Sequence, residues 1–97
     1  MDYRNAVVLQ GIVRSIKVNA FTVDFTVETV TEFYGGGSSC SQSSFIPIFM
    51  WRNTNTDALK EGMSVRVDGK ITSTQYTDSE GRDRTALQVK GLAVSFI

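Results

Sequence analysis

The stretch Phe21-Thr22-Val23-Asp24-Phe25-Thr26-Val27-Glu28 alternates apolar and polar residues with a period of two. A strand with one buried and one wet face produces that pattern. A helix over the same residues would stack Asp24, Glu28 and Glu32 four apart and scatter the aromatic and β-branched side chains around its axis. The strand reading therefore places Phe21, Val23, Phe25 and Val27 on the core face. Similar alternation occurs at Val7, Leu9 and Val13, at Ile46, Ile48 and Met50, and at Val65, Val67 and Ile71; a fifth extended segment runs from about Arg84 to Phe96.

The connections complete the layout. Gly35 to Ser44 is a Gly/Ser run with Cys40 as its only apolar residue, the composition of a flexible exposed loop. It is no phosphate loop, because Gly37 is followed by Ser38 and Ser39 and not by Lys-Ser/Thr. A short helix is expected at Asp57 to Glu61, capped by Thr54, Asn55 or Thr56 and stopped by Gly62. Asp78-Ser79-Glu80-Gly81 forms a tight turn with Gly81 at positive φ. Three strands, a short helix and two strands are the layout of an OB-fold, an all-β five-stranded barrel with its helix between strands 3 and 4. At this length the chain is one domain, 1–97.

Composition removes most chemistry. With 41% hydrophobic and 21% charged residues the chain is globular and not disordered. The lone Cys40 and the absence of His exclude a disulfide framework, His-ligated or multi-Cys metal sites, and Ser-His or Cys-His catalytic pairs. Asp78, Glu80 and Asp83 are read as a solvated hairpin tip, since a turn does not set two carboxylates across a substrate. No enzyme and no cofactor are expected. The first apolar run, Ala6 to Leu9, is too short for a signal peptide or membrane span, so a cytoplasmic protein is expected.

Parity within the third strand points to a binding surface. Phe45, Pro47, Phe49 and Trp51 share one face, while Ile46, Ile48 and Met50 share the other. The aliphatic set fills a small barrel, which turns the rings outward. Tyr76 precedes the hairpin turn, and Phe33 ends the second strand. Exposed rings stack on unpaired bases, whose π-faces a duplex hides; they also serve subunit interfaces. Phe33 shares parity with Phe25 and Val27, and a bulge near Thr29 and Val30 would be needed to turn it outward.

Along most of its length the sequence resembles the DNA-binding domain of bacterial single-stranded DNA-binding proteins (SSB). Asn5-Ala6-Val7-Val8-Leu9-Gln10-Gly11 is similar to that family's first strand, and Phe25-Thr26-Val27 to its second. Leu59-Lys60-Glu61-Gly62 with Val65-Arg66-Val67-Asp68-Gly69-Lys70-Ile71 is similar to its helix end and fourth strand, and Tyr76 to Asp78 with Gly81 to Arg84 to its aromatic-and-hairpin signature. The resemblance implies that Phe33, Phe45, Trp51 and Tyr76 stack on single-stranded DNA; Phe49, on the same face of the third strand by parity, is expected as a secondary face. It also implies homodimers or homotetramers paired through first strands. The family's flexible linker and acidic tip have no counterpart after Ile97, the expectation being a shortened chain or a naturally tail-less relative. Pro47, Thr72 and Thr74 stand where the family often carries Arg or Lys, and the connection around Asn53 to Thr56 is shorter than the family's.

The charges temper this picture. Ten Lys and Arg balance ten Asp and Glu, for a net charge of zero. On the stacking model, Arg52, Lys70, Arg82 and Arg84 are the expected phosphate contacts, with Arg4, Arg14 and Lys17 as further candidates. Two functions follow. One is sequence-tolerant binding of single-stranded DNA, in replication, repair, recombination or mobile-element transfer, with RNA open as a variant. The other is an OB-fold protein-interaction module resembling primosome components, with its rings buried against a partner.

Overall fold

The computed structural model describes residues 4–97, and the side chains of all of these except 31, 33, 34, 35, 38 and 39. Five strands, β1 (Val7–Val18), β2 (Thr22–Gly35), β3 (Ser38–Trp51), β4 (Ser64–Thr77) and β5 (Asp83–Phe96), close into a barrel in the order β1-β2-β3-β5-β4. Neighbours are antiparallel except β3 and β5, which meet in parallel at Ile48 with Val89 and Phe49 with Lys90. β1 serves both halves of the sheet, pairing with β4 along Val7 to Ile12 and with β2 along Ile12 to Val18. This is the OB-fold expected from the order of elements.

The core is the inward row of each strand. Val13, Val23, Phe25, Val27, Ile48, Met50, Val65, Val67, Val89 and Val94 are buried, and Leu59 closes the bottom of the barrel. Val7, Leu9, Ile16 and Ile46 pack against them half-buried. The other end is open, where Val7, Leu9, Ile46, Ile71 and Leu87 line an apolar mouth. Ile71 keeps its inward parity there but is exposed, because the barrel has no further layer behind it. Phe21 departs from expectation altogether. It is 75% exposed, for it falls in the bend before β2, and its backbone carbonyl accepts from Arg52 N at 2.9 Å.

Glycines stand where backbones crowd. A Cβ on Gly11 would strike the Glu28 carbonyl, and one on Gly91 would strike the Met50 side chain. Near Gly11, β1 bulges between Val13 and Ser15, turning from β4 toward β2.

Three expectations about connections change. The segment read as a loop, 35–44, is mostly strand: β2 and β3 run on as a two-stranded ribbon to a turn at Gly36 and Gly37, both at positive φ (61° and 81°). A two-residue loop with positive φ at both positions is the turn whose twist matches a hairpin, and paired serine backbones need no apolar side chains to form it. The bulge expected near Thr29 and Val30 does not occur, since the ladder is unbroken from Thr22 with Trp51 to Gly35 with Ser38. The ribbon there has left the barrel, so no core imposes a change of parity. Third, the helix α1 (Thr54–Asp57) starts earlier than Asp57 and is shorter. Its cap is Asn53, whose side chain accepts from Thr56 N at 2.9 Å while the Thr56 hydroxyl accepts from Asn53 N at 2.7 Å. That reciprocal pair satisfies two amides and fixes the start.

Candidate nucleic-acid interface

Because side chains alternate along a strand, burying Ile48 and Met50 forces Phe45, Pro47, Phe49 and Trp51 to the outside of β3. Trp51 is 62% exposed and Phe45 59% exposed, with Pro47 exposed and Phe49 half-buried between them. On β4 the same outer parity belongs to Lys70, Thr72, Thr74 and Tyr76, and Tyr76 is 52% exposed. The outer surface thus carries three rings along β3 and a fourth on the β4–β5 arm. Phe33 lies in the ribbon opposite Cys40, and its side chain is outside the described residues.

The cations expected at this surface divide sharply. Arg52 is built into the fold: Nε meets Asp57 Oδ1 at 3.1 Å, and Nη1 donates to the carbonyls of Asn19 and Ala20 at 3.2 Å each. Arg84 Nε meets Asp78 Oδ2 at 2.9 Å, and Arg82 pairs with Glu80 at 3.5 Å. Asp78 organises the hairpin by accepting from Arg82 N and Glu80 N at 2.9 Å each. The Arg82 amide first, then the Arg84 guanidinium, hold its carboxyl below the usual carboxylate range. Of these four, Lys70 is the one without a hydrogen bond or ion pair among the described residues. Exposed pairs such as Arg82 with Glu80 contribute little and can be exchanged for a phosphate at small cost, whereas Arg52 cannot leave two carbonyls and a carboxylate so readily.

The structure adds a cation not singled out by sequence reasoning. Lys90, half-buried on β5, is paired in register with Phe49 on one side and Lys70 on the other. It also lines a cleft with Trp51, Arg52, Asn53 and Leu92. On the far flank of the aromatic row stand the β2 carboxylates, Asp24 opposite Phe49 and Glu28 opposite Phe45. Asp24 accepts from Asn19 Nδ2 at 3.0 Å, and Glu28 pairs with Arg14 at 2.6 Å. Arg14 and then Ser43 hold the Glu28 carboxyl below its ordinary range. Beyond these carboxylates, β1 carries Lys17 opposite Asp24 and Arg14 on Glu28, so across the outer face the order is β1 cations, carboxylates, rings, lysines. Among the described residues, no helix is long and apolar enough to cross a membrane, and no group of three or more acidic or Cys side chains is placed to hold a metal.

A closed five-stranded barrel with one short helix between β3 and β4 is an OB-fold, and here an exposed aromatic row runs along the outside of β3. The chain belongs to the single-strand binding protein family, whose model matches residues 5–97. In structure it is similar to the Plasmodium falciparum SSB in its complex with single-stranded DNA, with a TM-score of 0.82 and 16% identity, covering 100% of this chain and 97% of that one. It is also similar to the small single-stranded DNA-binding protein of Streptomyces coelicolor, with a TM-score of 0.69 and 16% identity over 98% and 96% of the two chains. At that identity the likeness is one of fold. No curated protein matches the chain in sequence.

Proposed function

We propose that the protein binds single-stranded DNA with little sequence preference, stacking bases on Trp51, Phe45 and Tyr76, with Phe49 between the first two. The observation that carries this is the outward aromatic row on β3, which the buried Ile48 and Met50 enforce. Family membership and the DNA-bound state of the Plasmodium neighbour support it. Each stacked base contributes about 1–3 kcal/mol whatever its identity, which suits a chain of zero net charge. Lys70 meets the phosphates, with Arg82 and Arg84 recruited from their ion pairs and Arg52 steadying the loop behind Trp51. The protein acts as a homodimer or homotetramer in the cytoplasm, covering strands exposed during replication, repair, recombination or mobile-element transfer.

Trp51 is the sole tryptophan, so its fluorescence reports on the surface directly. Titration with oligo-dT is expected to quench it. No change up to high micromolar oligonucleotide, with a blue-shifted emission in the free protein, would replace this function by the protein-interaction module. Oligo-rU in parallel separates DNA from RNA.

A further inference from the structure

We propose that Lys70 and Lys90 together form the seat of the phosphodiester backbone and so set the side on which the strand lies: phosphates over β4 and β5, bases over β3. This rests on the single-strand binding proposed above.

The register places Lys70 directly opposite Lys90, and Lys90 directly beside Phe49. Directly opposed residues in an antiparallel pair have Cβ atoms about 4.5–5.5 Å apart, and like charges there are destabilising. Among the described residues, neither ammonium has an acidic partner to relieve that repulsion. All five arginines outside residue 4 are in ion pairs, and Lys17, in the same cross-strand row, faces Asp24, so Lys70 and Lys90 are the cations of this row that face only each other and a ring. An anion lying between them removes the repulsion and supplies the missing partner. The cleft shared by Lys90 and Trp51 lets one nucleotide meet both, its base on the indole and its phosphate on the ammonium. On the opposite flank Glu28 is already paired with Arg14 and Asp24 lies opposite Lys17, so that side carries no net charge, against two positive charges on β4 and β5.

The experiment is a salt titration of oligo-dT binding, followed by Trp51 fluorescence, for the unmodified protein, Lys70→Gln, Lys90→Gln, the double variant and Lys60→Gln as an exposed lysine off this face. For single strands, log K falls with log salt at a slope of about −0.7 per phosphate neutralised. Each of the two substitutions is expected to make the slope shallower by about 0.7, and the double variant by about 1.4, with Lys60→Gln unchanged. The free variants should melt no lower than the unmodified protein, because removing one lysine removes a repulsion; a merely structural lysine would move stability and binding down together. Oligonucleotide binding that persists with an unaltered slope in the double variant overturns this inference alone. No binding by the unmodified protein overturns the single-strand function and this seat with it.

Discussion

Replacing Trp51 with alanine separates binding from folding, and its effects can be worked out in advance. The indole is 62% exposed, so it keeps covered roughly 60–95 Å² of the 150–250 Å² that a large aromatic buries in full. At about 25 cal/mol per Å² the folded state loses at most ~1.5–2.4 kcal/mol, an upper limit because the unfolded chain already covers part of that surface. Small domains are stable by about 5–15 kcal/mol, so the variant stays folded at 20 °C. Binding, in contrast, loses one stacked base, about 1–3 kcal/mol, or about a 5- to 150-fold rise in Kd. Phe45 lies six positions along the same strand, about 20 Å at 3.3 Å per residue, so the two losses should add. Since Trp51→Ala removes the intrinsic fluorophore, the assay is anisotropy of a labelled dT12, with circular dichroism to confirm folding. If Trp51→Ala and the double variant with Phe45→Ala both bind within twofold of the unmodified protein while folded, base stacking on β3 is wrong.

Other expectations concern the scaffold. Ile48→Ala, one residue from the exposed row but fully buried, should cost about 2–5 kcal/mol in urea unfolding, because it leaves a cavity between strands; a loss below 1 kcal/mol would contradict the core assignment. Asn53→Ala should cost about 0.5–2 kcal/mol by the same measurement through loss of the helix cap, with Asn53→Ser restoring most of it. In a carboxyl-detected NMR titration, Asp78 should titrate below the ordinary aspartate range. Its hairpin contribution is thus complete above the unfolded-state pKa and lost as pH falls through the lower folded one; an ordinary or raised midpoint would remove the hairpin role assigned to it.

Much of this was legible in the sequence. The barrel follows from alternation, and the outward rings of β3 follow from parity once Ile48 and Met50 are assigned inward. What was misread had identifiable causes. Gly36-Gly37 sits between two runs of equal length, a hairpin signal that the surrounding serines made look like a linker; backbone pairing, which composition does not register, extends the ribbon. Phe21 continued the apolar alternation but stood one residue outside the strand, where no core faces it. The Asn53 cap was hidden because Thr54, Asn55 and Thr56 are all competent caps, and only the reciprocal Thr56 bond selects Asn53. Lys90 was one residue out of reach. The turn read at Asp78 to Gly81 would put Lys70 opposite Val89; the observed loop, closed from Asp78 to Arg82 and centred on Glu80, puts it opposite Lys90, and the contact with Phe49 depends on the parallel meeting of β3 and β5, which no local pattern encodes.

That parallel meeting has a kinetic consequence. It rests on two register pairs between positions about forty residues apart, so closing it forfeits a large loop entropy for few hydrogen bonds. Such a seam should form late in folding, after the long antiparallel ladders, and should be among the first places to exchange amide hydrogens in the native protein. A nucleotide lying from Phe49 to Lys90 would cross this same seam. Binding the strand would then also latch the barrel shut, and local opening at Val89 and Lys90 should slow as oligonucleotide is added, in proportion to its occupancy.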